Sequence, residues 1–567
     1  MPMNNEATIA YFSMEIGLSN DIPTYSGGLG VLAGDTIKSS ADLEIPIVAV
    51  TLLLKKGYFS QDIDSEGRQV EYAVDWDPSR FMIRLQKKVK VQIEGRNVYL
   101  QAWCYKVRSI AGGEIDVFYL DTDVEENIKE DREITAVLYG GDAQYRLKQE
   151  IVLGIGGVRM LNALGFHIKK YHMNEGHASL LTLELLLLHK RDVESVWDEN
   201  WIWDTDKVKD LCVFTTHTPI EAGHDRFSYD LVQKILGEII PLKVLKRLSG
   251  EHHLNLTLLA LNLSNYVNGV AKKHGEVSKN LFPGYEIHAI TNGVHSFTWT
   301  CESFKRVYDK YIPGWANEPE LLVRSEIIPD NEVWEAHLHA KNVLIDYVRK
   351  MTHIEMSPDV LTIGFARRFT SYKRADLLFF NLERLLKISE KGKIQIVYSG
   401  KAHPKDTPGK DIIKKIVEIA KNISDKVSVV FIKNYNIDIA LKIVSGVDIW
   451  LNTPLRPREA SGTSGMKAAH NGVINFSILD GWWIEGHIEG ITGWSIGPKP
   501  VESSLIPVHD ATDADDLYDK LENLILPLYY HDRNQWIKIM KNSISKLAYY
   551  FNTNRMMRRY VTEAYLR

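Results

Sequence analysis

Cysteine is scarce, with three in 567 residues, at Cys104, Cys212 and Cys301. Three thiols cannot all pair and no C-x-x-C occurs, which argues against a disulfide framework or a cysteine zinc site and fits a reducing cytoplasm. A surplus of one charge is also missing. Sixty-eight Lys and Arg against 73 Asp and Glu leave a net charge of −5, too near neutral for a broad electrostatic grip on nucleic acid or an acidic membrane. Long apolar runs are lacking. Ile45–Leu54 contains Pro46, Leu180–Leu188 contains Glu184, and both are too short to span a bilayer. The first seventeen residues hold no basic segment followed by an apolar core, so no secretory leader is expected there. Internal repeats and low-complexity tracts are absent too. At 45% hydrophobic and 25% charged residues, the chain can bury large cores, and a soluble cytoplasmic protein of two or three domains is expected.

What is present is an alternation of strands and helices. Thr8–Glu15 reads as a strand, Ser26–Gly30 as a loop, Val31–Leu43 as a helix, and Ile45–Leu54 as a strand buried on both faces. Residues 56–122 change character. Val89–Ile93 and Val98–Val107 alternate around the turn Glu94-Gly95-Arg96-Asn97, which predicts an antiparallel insertion. Tyr145–Leu164 has a helical pattern interrupted by Gly154, Gly156 and Gly157. Each glycine costs a helix about 1 kcal/mol against alanine, so another backbone is expected to pass close by. His167–Met173, Leu211–Thr216 and Glu286–Thr291 are strand candidates, and 177–190, 228–247 and 254–274 are helix candidates. From residue 355, Val360–Phe365, Ile394–Ser399, Val427–Ile432, Asp448–Asn452 and Val473–Ile478 alternate with helical segments at 373–391, 410–423, 437–445 and 461–471. The fold class expected is α/β, with two Rossmann-like doubly wound domains facing a cleft. They are placed at 1–315, with the antiparallel insertion, and at 316–567, with 312–330 as linker and the helices at 513–567 as candidates to cross back onto the first domain.

Four segments have the composition of a reactive site. Ser26-Gly27-Gly28-Leu29-Gly30 joins a strand to a helix start, where backbone N–H groups and the helix dipole favour an anion. A plain tight turn explains it equally well. Arg367-Arg368-Phe369-Thr370-Ser371-Tyr372-Lys373-Arg374 puts four cations at the carboxyl end of a strand, where a parallel sheet binds ligands and Arg and Lys suit phosphate. A solvated face is the ordinary alternative. Glu459-Ala460-Ser461-Gly462-Thr463-Ser464-Gly465-Met466-Lys467 opens a helix with small residues that suit a phosphate, and Lys467 could supply a Schiff-base amine, although a lone helix lysine is usually on the surface. Asn174-Glu175-Gly176-His177 and Thr215-Thr216-His217-Thr218 set two histidines at strand ends without an H-E-x-x-H helix. Sugar-orienting groups or core histidines are better readings there than a metal site. Trp482 and Trp483 are a carbohydrate platform or, more commonly, core.

Together these segments resemble the α-glucan (glycogen, starch, maltodextrin) phosphorylases, in their short bacterial and archaeal branch. Glu459–Lys467, with Asn471-Gly472 and Leu479-Asp480-Gly481 after it, is similar to the family's E-A-S-G-T-x-x-M-K…N-G…x-D-G segment. Arg368-x-x-x-Tyr372-Lys373-Arg374 matches its R-x-x-x-Y-K-R, and Gly27-Gly28-Leu29-Gly30 its glycine loop. Asn174–His177, Thr216–Thr218, Thr291-Asn292-Gly293, Ser399–Ala402 and Arg146–Glu150 are further matches. The resemblance implies retaining phosphorolysis of the non-reducing-end glucose of an α-1,4-glucan to α-glucose 1-phosphate. It also implies pyridoxal 5′-phosphate (PLP), whose phosphate would relay a proton through inorganic phosphate. Lys467 would carry the cofactor, and Thr463, Ser464, Gly465, Tyr435, Gly27 and Gly28 would help bind it. Arg368, Lys373 and the backbone of Gly28 would hold the substrate phosphate. Glu459, Ser461, Gly462, Tyr372, His217, His177 and Asn174 would hold the glucan. The implied partners are glucan and phosphate, with no nucleic acid, membrane or metal, and the family's habit is a homodimer or higher homo-oligomer.

The chain departs from the longer family members in four places, one of them Asn174-Glu175, where the long forms carry N-D. Hardly any residues precede the glycine loop, so control by phosphorylation or nucleotide on an amino-terminal extension is not expected. The acidic, asparagine-rich gate before R-L-K-Q-E is shortened to Leu138–Tyr145. Thr370 and Ser371 stand where the long forms carry histidine and glutamate. Two other readings stay open on sequence alone: a nucleotide-sugar glucan synthase without PLP, and a glucan-binding protein without catalysis.

Overall fold

The computed structural model of the protein describes residues 6–192, 199–499 and 509–566. The chain forms two compact units. Met1–Phe59, Ala73–Ile290 and Met557–Arg567 make the first; Ser60–Tyr72 and Thr291–Met556 make the second. Among the described residues no helix is long and apolar enough to cross a membrane.

The first unit is built on a nine-stranded sheet. Its strands are β1 (Ile9–Ser13), β2 (Ile47–Leu52), β3 (Ile83–Ile93), β4 (Arg96–Arg108), β5 (Glu114–Asp121), β6 (Lys170–Asn174), β7 (Cys212–Thr215), β8 (Tyr266–Gly269) and β9 (His288–Ala289). They lie in the order β9-β8-β7-β6-β1-β2-β5-β4-β3. Pairing is parallel from β9 to β5, and β4 and β3 extend the edge antiparallel, as the alternating insertion predicts. β1 and β2 are buried along their whole length, which their continuous apolar runs require of strands covered on both faces. Helix α1 (Gly28–Asp42) follows the glycine loop.

The second unit is built on six parallel strands, β10 (Leu361–Ala366), β11 (Ile394–Ser399), β12 (Ser428–Ile432), β13 (Ile449–Asn452), β14 (Ile474–Ile478) and β15 (Gly493–Ile496). Their order is β12-β11-β10-β13-β14-β15, the doubly wound arrangement in which two halves run outward from the first strand.

Several expectations change. Candidate helix 254–274 is two helices, Leu256–Asn262 and Lys272–Leu281, with β8 between them. The first helix ends at Asn262, and the Asn265 N–H donates to the carbonyls of Lys209 (3.0 Å) and Cys212 (3.2 Å) as Tyr266 enters the sheet. Candidate 228–247 is also two, Tyr229–Ile235 and Leu242–Ser249, separated by Gly237 and Pro241. The unit division falls at Ile290, not near 315. Residues 312–330 contain a 3-10 helix, Pro319–Ile327, whose Leu322 is buried in the second unit's core, so their prolines shape a packed turn. Ser60–Tyr72, expected within the first-domain insertion, is a hairpin of the second unit. Its buried Gln61 and Gln69 donate to the carbonyls of Gly400 (2.8 Å) and Ala402 (2.9 Å). In the glycine-rich helix, a side chain at Gly154 would stand 2.6 Å from the backbone nitrogen of Leu181, so backbones do meet there. At Gly156 and Gly157 the neighbours are instead side chains of the sheet, Leu100, Phe12 and Val50. Trp482 and Trp483 are both buried.

Candidate active site

In the second unit the winding reverses between β10 and β13, and the crevice of such a sheet lies beyond their carboxyl ends. The chain leaving β10 brings Arg367 and Lys373; the loop after β13 brings Glu459. Arg367 Nη2 (2.7 Å) and Lys373 Nζ (2.6 Å) both donate to Glu459 Oε2. Arg367 also donates to Asn452 Oδ1 at the end of β13. Lys373 and Glu459 are buried and Arg367 nearly so. Two cations on one carboxylate leave a net positive charge in a dry place, which suits a phosphate. Burial pushes Glu459 up, but Arg367 and Lys373 outweigh it and hold it at about 2. Burial, then the charge of Arg367, holds Lys373 below the ordinary lysine range against the pull of Glu459. The Lys373 ammonium stands 4.5 Å from the centre of the Tyr372 ring. Arg368 is exposed and acts on Lys373 through its charge. Sequence reasoning chose Arg368 of the two arginines, whereas Arg367 is the one that reaches Glu459.

The segment carrying Glu459 is pinned by the turn after β14. The N–H groups of Glu459 and Gly481 donate to the two oxygens of Asp480, each at 2.9 Å, and Trp482 N–H donates to the carbonyl of Ser461 at 2.9 Å. Burial raises Asp480 to about 7 against those donors, and the charge of Glu459 adds to the rise. Gly481 has φ +54°, and a side chain there would stand 2.2 Å from the Ser461 carbonyl, so this turn sets Ser461 and Gly462 in place. Thr463 then leads into the short helix Ser464–Ala469. The Ser464 hydroxyl accepts from Trp450 Nε1 (3.1 Å), and the Gly465 carbonyl accepts from Asn475 Nδ2 (3.0 Å). Lys467 is buried, its ammonium 3.8 Å from the centre of the Trp299 ring. It is not a surface lysine. The Tyr435 hydroxyl donates to the Ala366 carbonyl at the end of β10 (3.5 Å).

In the first unit the winding reverses between β1 and β6. Glu15, just past β1, accepts from the backbone of Ser26 and Gly27 and from the Tyr139 hydroxyl (2.9 Å). Packing demands two of the loop-helix glycines: a side chain at Gly30 would stand 2.8 Å from Glu15 Oε2, and one at Gly34 would stand 2.0 Å from the Gly17 carbonyl. At Gly27 and Gly28 a side chain would meet open space, beside the first-turn N–H groups of α1 that have no helical partner. At the end of β6, Asn174 Oδ1 pairs with His217 Nε2 (2.6 Å), two residues past β7, and Asn174 Nδ2 donates to the Ser13 hydroxyl (3.1 Å). Glu175 accepts from the His217 N–H (2.8 Å) and the Thr218 hydroxyl (2.9 Å). His177 Nε2 stands 3.4 Å from Asp225, which Arg146 also contacts at 2.9 Å. His177 Nδ1 is buried without a protein partner. Burial holds both His177 and His217 near 3, helped by Arg146 for the one and by neighbouring histidines for the other. Both rings are therefore neutral hydrogen-bonding groups at neutral pH. Sequence reasoning gave Glu15 and Tyr139 no role in the site, and counted Arg367 among the four cations suited to phosphate without giving it a role of its own. Glu15 did carry a signal, as an acidic residue just past a wholly apolar strand and shortly before the glycines.

A family model described as carbohydrate phosphorylase matches residues 241–490. The chain is 40% identical to the maltodextrin phosphorylase of Thermococcus litoralis, across 99% of this chain and 70% of that protein. It is 36% identical to the glycogen phosphorylase of Aquifex aeolicus, across 98% of this chain and 86% of that protein. With the glycogen phosphorylase of Mycobacterium tuberculosis it shares 35% identity, across 98% of this chain and 70% of that one.

Proposed function

The chain belongs to the carbohydrate phosphorylase family, and from that premise we propose that it is a PLP-dependent α-glucan phosphorylase. It moves the non-reducing-end glucosyl unit of a maltodextrin or glycogen onto inorganic phosphate and releases α-glucose 1-phosphate. The observation that carries the reading is Lys467, an amine buried behind a run of small residues at a helix start. This donor set fits a phosphorylated aldehyde: Lys467 offers the amine, Thr463 and Ser464 offer hydroxyls, the backbone from Thr463 to Gly465 offers N–H groups, and Tyr435 stands at the end of β10. When bound, PLP supplies a phosphate group able to share a proton with the substrate phosphate.

The chain's own residues do the rest. Lys373 and Arg367, already gathered on Glu459, hold the substrate phosphate, with the exposed Arg368 adding charge. Within the first unit, the Gly28 backbone, with open space where a side chain would be, is a phosphate contact of its own. Glu459, Ser461, Gly462 and Tyr372 orient the glucosyl hydroxyls. His217, His177 and Asn174 serve the glucan as neutral hydrogen-bonding groups, and the orphaned His177 Nδ1 is one such group without a protein partner. In the reaction the glycosidic C1–O bond breaks, a phosphate oxygen bonds to C1 on the same face, and the phosphate proton passes to the leaving oxygen. Clustered cations favour that step by stabilising the phosphate charge in a dry site.

The test is reduction with borohydride, digestion and mass spectrometry. A phosphopyridoxyl group on Lys467, release of α-glucose 1-phosphate from maltodextrin and phosphate, and loss of both in Lys467→Ala are expected. No adduct after incubation with PLP, together with turnover of a nucleotide-linked glucose, would overturn the reading in favour of a glucan synthase.

A further inference from the structure

Glu15 is buried two residues past β1. Its Oε2 accepts the N–H groups of Ser26 and Gly27 (3.4 Å) and the Ser26 hydroxyl (3.1 Å). Its Oε1 accepts the Tyr139 hydroxyl (2.9 Å) and shares the Ser26 hydroxyl (3.2 Å). An ionised carboxylate offers about four lone-pair sites, and these donors fill them. Glu15 is thus occupied in holding backbone. What it holds is the pair of residues just before α1, next to the open space at Gly27 and Gly28. Tyr139, its other partner, belongs to the shortened Leu138–Tyr145 segment and takes φ +53°, a conformation a tyrosine adopts only under constraint. Its ring centre stands 4.6 Å from the Arg146 guanidinium and 6.0 Å from that of His177.

We propose that Glu15 is a positioning residue for phosphate. It sets the glycine loop at the start of α1 and ties that loop through Tyr139 to the segment carrying Arg146. The inference rests on the reading of the Gly28 backbone as a phosphate contact. Phosphate affinity then depends on two side chains that do not touch phosphate.

The test compares Glu15→Gln and Tyr139→Phe with wild type as PLP-loaded protein. Glutamine keeps one carbonyl acceptor and turns the other atom into a donor, so it cannot serve the loop backbone and the Tyr139 hydroxyl as before. The KM for phosphate should rise about tenfold in Glu15→Gln and about threefold in Tyr139→Phe, with kcat and the glucan KM within about twofold of wild type. In the double variant the combined effect should fall short of the product of the two, because both changes remove one shared link. Hydrogen exchange over residues 24–30 should quicken in both single variants while the strands of the first unit keep their protection. An unchanged phosphate KM would overturn the proposal. So would a parallel rise of both KM values with protection lost across the whole unit, which marks a merely structural role. If wild-type protein catalyses no phosphorolysis, the phosphorolysis reading fails, and the exchange measurement alone decides whether Glu15 holds the loop.

Discussion

Glu459 carries two buried cations on one oxygen, and removing its charge should expose what that arrangement stores. Glu459→Gln leaves Arg367 and Lys373 facing each other without a counter-ion. Breaking a buried pair from one side costs roughly 3–5 kcal/mol, so urea unfolding at pH 7 should show a loss of that order. Phosphate should restore part of it by taking the carboxylate's place on the cations. The pH dependence has a definite sign. With a folded value of about 2 against an ordinary 4.5, Glu459 stabilises the protein fully above pH 4.5 and stops doing so as pH falls through 2. The wild type should therefore lose more stability than Glu459→Gln over that window, and equal slopes would contradict the pairing. Of this cluster, the sequence showed that cations gather at a strand's carboxyl end. Which of the adjacent Arg367 and Arg368 turns inward depends on how the backbone leaves β10, and no composition or spacing encodes that.

Gly154 separates two explanations of a glycine in a helix. By propensity alone, alanine there should stabilise by about 1 kcal/mol. Its Cβ would stand 2.6 Å from the Leu181 backbone nitrogen, and backbone cannot step aside as a side chain can. Gly154→Ala should therefore destabilise by about 2 kcal/mol or more. At Gly156 the nearest atom is a terminal methyl of Leu100 at 3.0 Å, which can rotate away, and Gly156→Ala should stay within about 1 kcal/mol of wild type. Chemical denaturation of the two variants checks the contrast, and a reversed order would mean that the Leu181 backbone yields. The same helix shows what pattern can reveal. Three glycines announced a close approach correctly, but could not say that only Gly154 meets backbone. β8 stayed hidden for a related reason, because Tyr266–Gly269 is only four residues long and follows Leu256–Asn262 after a gap of three residues that period alone does not mark.

The two units each own a segment remote in sequence from their main body, and that exchange could not be read from local pattern. Gln61 and Gln69 look like solvated residues of a polar hairpin. Both are buried, and Gln69 makes a two-way bond with the backbone of Ala402, accepting from its N–H and donating to its carbonyl, each at 2.9 Å. At the other end of the chain, the Tyr565 hydroxyl pairs with His172 Nδ1 (2.6 Å), and the Tyr560 hydroxyl meets Thr215 (3.1 Å) and Asn268 (3.0 Å). These bonds tie the tail to β6, β7 and β8 of the first unit, although the tail follows the second unit in sequence. Buried polar groups that lose a partner cost roughly 1–3 kcal/mol each, so the effect of cutting either segment should appear in the unit that holds it. Gln69→Ala should speed hydrogen exchange at the carboxyl end of β11 and leave β6–β8 protected. Removing residues 557–567 should do the reverse, opening β6, β7 and β8 while β10–β14 stay protected. Exchange that rose in both units for either change would show that the two cores open together, and the assignment of each segment to one unit would fall.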